Sequence, residues 1–301
     1  MTRDYLQLHF IVLIWGFTAI LGLLITIPAV EVVFYRTLIA FIALGIMLYF
    51  QRKSFKLGAI PIIKMLLTGA LIGIHWILFF QSARVSNASV SLTGFATCAF
   101  WTSLIEPMMY KRKIRMIEVV LGITVLIGLY VVFQVGDEYL LGLVLAILCA
   151  ILGAVFTVIN GQFVYRYDAY MISFYEMIGA FLVTVLFFPL YVAYYSESGQ
   201  LELSPTTMDW LYLGILAIIC TVYAYSISVK IMEKLSPFTI NLTVNLEPIY
   251  GIVMALLIFK DSEKMQPGFY LGAALILLSV FVYPIYNKLK KRKAMGLDNL
   301  R

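Results

Sequence analysis

Long apolar stretches broken by short polar intervals run through almost the whole chain. A helix that crosses about 30 Å of hydrocarbon needs roughly 20 apolar residues. Ten runs reach that length, at 6–26, 29–50, 60–82, 86–108, 116–135, 139–161, 169–194, 207–230, 236–259 and 266–287. They are too long and too many for membrane β-barrel strands, whose signal is short alternation. Ten spans occupy most of the 301 residues and leave no room for a separate soluble domain. The pattern predicts an all-α polytopic membrane protein. The first run continues through Phe10-Ile11-Val12-Leu13-Ile14-Trp15-Gly16 without a small-residue cleavage site, so it reads as a retained first span.

The apolar pattern also repeats. The segment Val32-Val33-Phe34-Tyr35-Arg36 returns 140 residues later as Ile172-Ser173-Phe174-Tyr175-Glu176. Arg84-Val85-Ser86-Asn87-Ala88 returns as Lys234-Leu235-Ser236-Pro237-Phe238, at an offset of 150. About ten residues have therefore entered the second copy between the matched segments, and the polar stretch 196–209 is their natural place. The repeats divide the chain into 1–136, 137–287 and a basic tail, 288–301. Five spans is an odd number, so the second half enters the membrane from the opposite side and the copies are inverted. A duplicated, inverted membrane half is the mark of a secondary transporter, in which two similar halves rock around a shared site.

Composition agrees with the spans: 62% of residues are hydrophobic and only 13% charged, against about a quarter charged in soluble domains. The net charge of +6 is explained by where the charges lie. With the amino terminus inside, the inner segments carry Arg3, Arg52, Lys53, Lys56, Lys111, Arg112, Lys113, Arg115, Arg166, Lys230, Lys234, Lys288, Lys290, Lys291, Arg292, Lys293 and Arg301. The outer loops carry only Arg84, Lys260 and Lys264, while acidic Glu31, Asp137, Glu138, Glu197, Glu202 and Asp209 gather there. This asymmetry predicts both termini cytoplasmic. The basic tail reads as an anchor to anionic lipid headgroups, with no nucleic-acid partner needed. Cys98, Cys149 and Cys220 all fall inside spans without ligand spacing and read as small apolar fillers.

Several weak motifs add up to a family resemblance. The first span carries Leu13-Ile14-Trp15-Gly16-Phe17-Thr18 and the second Phe34-Tyr35-Arg36. The ninth carries Leu246-Glu247-Pro248-Ile249-Tyr250, with Gly272 of the tenth 24 residues after the proline, as Gly122 lies 24 after Cys98. The ensemble resembles the drug/metabolite transporter superfamily, specifically its EamA-type ten-helix permeases. Two departures stand out. Lys111-Arg112 and Lys260-Asp261 occupy places where the family often has Gly-Glu, and Cys98 takes the first-half place of Pro248. The resemblance implies a central cavity lined by spans 1, 3, 4, 6, 8 and 9, with 5 and 10 peripheral. It also implies a metabolite exporter in a bacterial inner membrane.

Ionisable side chains at membrane depth are costly and are functional candidates by default. Glu247 lies about 16 Å into span 9, close to the midplane. Pro248 after it removes a backbone donor and is expected to break the helix, freeing the carbonyl of Val244. Thr243 shares the face of Glu247, while Asn241 and Asn245 mark a second polar face. Glu247 is either a binding or proton-coupling group or a structural carboxylate bonded to span 4 or 8. Arg36 and Glu176 are equivalent in the two copies. They lie about 12 and 10 Å from opposite boundaries, which favours separate snorkelling over an ion pair. His75, about 21 Å into span 3, titrates near neutrality and could exchange protons, or be bonded structure. Glu106 returns to the inner interface beside Arg112 and reads as a cap or gate-edge charge. Trp15, Trp76, Trp101, Tyr223, Tyr225 and Tyr250 lie deep on cavity spans, where rings stack on solutes or hold cations.

These features predict a secondary exporter of small metabolites, amino acids among them, working by alternating access. Its partners are a small solute and membrane lipids, and a homodimer stays open. The alternatives are a lipid-linked carrier flippase or a non-transporting membrane accessory protein. An enzyme is disfavoured: the chain has no HExxH, no Gly-x-Ser-x-Gly and no phosphate loop. No cofactor or metal is implied.

Overall fold

The computed structural model describes residues 2–53, 55–133, 139–196, 198–260 and 266–294. Ten helical rods follow in order, and no strand occurs among the described residues. They are α1 (Thr2–Gly16 and Thr18–Leu24), α2 (Ala29–Phe50), α3 (Ala59–Val85), α4 (Ala88–Phe95 and Cys98–Tyr110) and α5 (Met116–Phe133). Then come α6 (Leu140–Phe163), α7 (Ala169–Tyr194), α8 (Thr207–Gly214, Ile215–Tyr223 and Ala224–Ile231), α9 (Pro237–Val244 and Glu247–Phe259) and α10 (Pro267–Ala294). Eight of them are long and apolar enough to cross a membrane; α5 contributes a shorter apolar stretch, Met116–Val125. Asp137, Glu138, Glu197, Lys264 and Arg301 lie outside the described residues, as do the side chains of Lys288, Lys291, Arg292 and Lys293.

Local chemistry sets where the rods start. Asn87 accepts from the Val90 N–H and opens α4, and Ser236 accepts from the Thr239 N–H and opens α9 with Pro237 in its first turn. Asp168 accepts from the Tyr170 and Met171 N–H groups at the start of α7. Thr206 and Asp209 form a reciprocal capping box on α8.

The packing partners are exchanged between the two halves. α3 packs on α6 and α7, and their counterparts α8 on α1 and α2; α4 packs on α6 as α9 does on α1; α5 and α10 pack on each other. Glycine allows the closest approaches. A Cβ on Gly69 would stand 2.0 Å from the Glu176 backbone oxygen, and one on Gly179 would stand 2.1 Å from that of Leu66. α3 and α7 therefore meet backbone to backbone. Gly16 and Gly251 do the same for α1 and α9: a Cβ on Gly16 would lie 2.9 Å from Cβ of Tyr250.

The breaks in the rods repeat as well. In α4 the Thr97 N–H donates to Gly94 and the Phe100 N–H to Thr97; in α9 the Leu246 N–H donates to Thr243 and the Ile249 N–H to Leu246. These tight turns correspond at an offset of 149, so Glu247 matches Cys98. The offset of 150 expected from sequence, which set Pro248 against Cys98, is corrected by one residue. The expectation that Pro248 makes the break is corrected too. The turn at 245–246 precedes Pro248, which sits in the first turn of the second helical piece, and α4 makes the same turn without a proline.

Candidate functional site

A narrow cavity lies between the two halves. Its wall takes Trp15 and Thr18 from α1, Arg36 from α2, and His75, Trp76 and Phe79 from α3. Phe95 and Cys98 come from α4, and Gly153, Phe156 and Thr157 from α6. α8 supplies Cys220, Tyr225 and Ser228, Met232 follows its end, and α9 supplies Ile240, Asn241, Val244 and Glu247. About 70 Å³ is open to the centres of water molecules, room for several waters. No described residue of α5 or α10 lines this wall, and α2 joins the six expected spans through Arg36.

Arg36 is 2% exposed, so it does not snorkel to an interface. Its guanidinium carbon lies 3.8 Å from the centroid of Trp76, a desolvated cation–π stack. Its Nε donates to the Thr221 hydroxyl at 2.8 Å, and that hydroxyl donates to the Leu216 carbonyl five residues back. The five-residue step belongs to the wide π-helical turn Ile215–Tyr223 in α8. In the same turn the Cys220 carbonyl accepts from the Trp15 indole N–H at 3.0 Å. Of the guanidinium's five N–H donors, only this Nε has a hydrogen-bond partner among the described residues.

Glu247 opens the second piece of α9 at the turn and faces the same cavity, 3% exposed. It lies near enough for its charge to interact with Arg36, yet the two form no ion pair among the described residues. Its Oε2 is buried and has no hydrogen-bond partner. Cys98, its counterpart, sits across the wall at the matching turn of α4.

The other sequence candidates divide. His75 lines the cavity with its ring against Phe95 and Phe156. Its Nδ1 lies 2.8 Å from the Cys149 carbonyl; since a carbonyl only accepts, Nδ1 carries a proton. Trp15, Trp76 and Tyr225 also line the wall. Five candidates do not. Trp101 bonds the Thr97 hydroxyl and stacks on Phe100. Tyr223 is 41% exposed and pairs with Phe10 on the outside of the bundle. Tyr250 is held at the Gly16 crossing. The Thr243 hydroxyl turns back to the Thr239 carbonyl, and Asn245 is fully buried away from the cavity with both side-chain polar atoms unpartnered. The tight turn rotates the face, so Asn241 meets the cavity beside Glu247. Asn241 also donates to Thr102 across the halves.

Glu176 is buried as completely as Arg36 and likewise does not snorkel. Its Oε2 accepts from the Tyr225 hydroxyl at 2.8 Å and from Asn160 Nδ2 at 3.4 Å. Glu106 accepts from the Phe238 N–H at the start of α9 and pairs with Arg112, which also binds Glu118. It is the cap expected from sequence, placed on the other half of the chain.

The sequence model of the EamA-like transporter family matches residues 5–134 and again 140–283. The chain belongs to this family. EamA members are membrane transporters of small solutes, not enzymes, and the matches coincide with the two sets of rods that exchange contacts. Among solved structures, one crystal structure superposes with a TM-score of 0.67 at 15% identity, covering 95% of this chain and 98% of that one. At that identity the likeness shows the fold alone. No curated protein matches the chain in sequence.

Proposed function

We propose that this EamA protein is a secondary exporter of small zwitterionic metabolites, amino acids among them. It works by alternating access in a bacterial inner membrane, with both termini cytoplasmic. Segments 1–136 and 137–287 are its two inverted halves, and 288–301 is a tail at the lipid headgroups.

One observation carries the solute class. Arg36 and Glu247 face one narrow cavity with hydrogen-bonding capacity left over, separated rather than paired. A zwitterion offers each what it lacks: a carboxylate for the planar guanidinium fork and an ammonium for the Glu247 oxygen. Trp15, Trp76 and Phe79 give the wall an apolar surface for the solute's side chain. The flippase reading finds less support, because a phosphate-bearing headgroup calls for several cations and the wall offers one arginine.

The test is competition in proteoliposomes. An α-amino acid, its decarboxylated amine and its deaminated acid compete for counterflow of labelled amino acids. The zwitterion is expected to compete at least tenfold more strongly than either analogue. Equal competition by the amine alone defeats the two-charge reading, and Glu247→Gln is expected to erase the preference for the zwitterion over the acid. Accumulation in inside-out vesicles checks the direction.

A further inference from the structure

The Glu176 pocket lies just behind the cavity wall and holds a carboxyl group that solute recognition does not use. Three elements build it. Glu176 comes from α7, Asn160 from α6 and Tyr225 from α8, and Asn160 Nδ2 also donates to the Tyr225 oxygen at 2.8 Å. Glu176 and Asn160 are fully buried and Tyr225 is 5% exposed. Thr157, one turn before Asn160, and Tyr225 itself both line the solute cavity.

Among the described residues no cation answers the carboxyl. On α2, Arg36 stacks on Trp76, bonds Thr221 and lines the solute cavity with Glu247, and it forms no hydrogen bond or ion pair with Glu176 among the described residues. On α3, Lys64 is exposed, His75 bonds the Cys149 carbonyl, and Arg84 bonds backbone carbonyls near the end of the rod. On α8, Lys230 is exposed and Asp209 is bound at the opposite end. α6 contains no charged residue, and α7 none besides Glu176. Lys53 pairs with Asp168 beyond the start of α7. An ionised carboxylate here is stabilised by two neutral donors only, against a desolvation cost of several kcal/mol.

Two acceptors are also left over. Glu176 Oε1 and Asn160 Oδ1 are both buried and have no hydrogen-bond partner. A proton on Oε1 supplies the one donor that this pocket lacks. Glu247 differs, since Arg36 shares its cavity.

We propose that Glu176 is the proton-carrying group of the transporter, a site distinct from the solute cavity, with Tyr225 as the link between the two and Asn160 positioning the carboxyl. This rests on the transport reading above. When water reaches Tyr225 through the cavity, the carboxylic acid gives its proton to that water and becomes a carboxylate held by Tyr225 and Asn160. Reprotonation from the other side completes the exchange of one proton against the solute cycle.

The first test does not need transport. Infrared spectra of the protein in lipid bilayers near neutral pH are expected to show a protonated-carboxyl band. Glu176→Gln removes this band, Tyr225→Phe shifts it, and Glu247→Gln leaves it in place. A band that survives Glu176→Gln overturns the assignment. Should Glu176→Gln not fold, the Tyr225→Phe shift decides, because that variant keeps the ring and loses only the donor. The second test compares pH-gradient-driven accumulation with counterflow in proteoliposomes. Their ratio is expected to fall at least tenfold in Glu176→Gln, and an unchanged ratio overturns the coupling role. Absence of counterflow in the unaltered protein sinks the transport reading instead, while the band still reports on Glu176.

Discussion

Arg36 illustrates how much one side chain's direction matters in this fold. Its plane rests on Trp76 and its Nε is fixed by Thr221, which aims the remaining donors at the cavity. Lysine keeps the charge but has neither the plane nor the fork. Arg36→Lys is expected to raise the KM for the solute about 10- to 100-fold, the equivalent of one charged hydrogen bond at roughly 1.5–3 kcal/mol. Counterflow kinetics read this directly, and a KM within twofold of the unaltered protein defeats the carboxylate role. Depth along the rod favours snorkelling for Arg36 because rise per residue measures position along a rod and says nothing of which face a side chain takes. The same limit explains Tyr223 and Tyr225. They are two positions apart, about 200° around a helix of 3.6 residues per turn, so one faces outward and the other the cavity. Glu247 and His75 are legible because an ionisable residue deep in a span is rare. Rings are common in these spans, and Trp15 and Trp76 cannot be told in sequence from Trp101, Tyr223 and Tyr250, which do not line the cavity. Arg36, Asn160 and Glu176 became meaningful only when three rods were brought together.

At the scale of elements, eight of the expected runs coincide with helices long and apolar enough to cross a membrane, and the caps at Asn87, Asp168 and Ser236 mark where several begin. The breaks were harder to read. A proline draws attention to Pro248, but the tight turn also occurs at 96–97 without one, which points to packing between the halves rather than to a missing donor. The π-helical turn of α8 has no signal in sequence, since nothing in Ile215–Tyr223 departs from apolar helix composition. Glycine at the α3–α7 crossing offers a sharp test. Gly69→Ala sets a methyl group 2.0 Å from the Glu176 backbone oxygen, so the rods must separate. A loss of about 1–3 kcal/mol, or more, is expected, seen as a lower Tm in detergent. Gly214→Ala meets nothing within 4 Å and is expected to be neutral or to gain up to about 1 kcal/mol of helix propensity. Equal effects at the two sites argue against backbone contact at this crossing.

At the scale of the whole molecule, the exchanged contacts leave a cavity whose wall is not centred. It descends to Met232 and Ile240, beside the α8–α9 connection, at the end of the bundle where the chain begins. At the other end it stops at Thr18, Phe79 and Phe95, each about two turns inside its rod. That far end is tied. Arg84 donates to the carbonyls of Gly22, Ile25 and Ile27 at the close of α1, and Asp209 accepts from both the backbone and the hydroxyl of Thr26. For alternating access, these bonds are the ones to break for the solute to leave on the far side. The chain carries its own reporters, since Cys98 and Cys220 line the cavity while Cys149 does not. A membrane-impermeant thiol reagent is expected to modify Cys98 and Cys220 several-fold faster from the side where the chain begins than from the far side. Arg84→Gln removes charged hydrogen bonds from the tie. A loss of only about 1.4 kcal/mol shifts the balance between the two states tenfold, so far-side modification is expected to rise by about that factor. Peptide mass spectrometry of the two cysteines measures both rates. Far-side labelling that does not change in Arg84→Gln means that the tie is not a gate, and faster far-side labelling of the unaltered protein means that the cavity opens the other way.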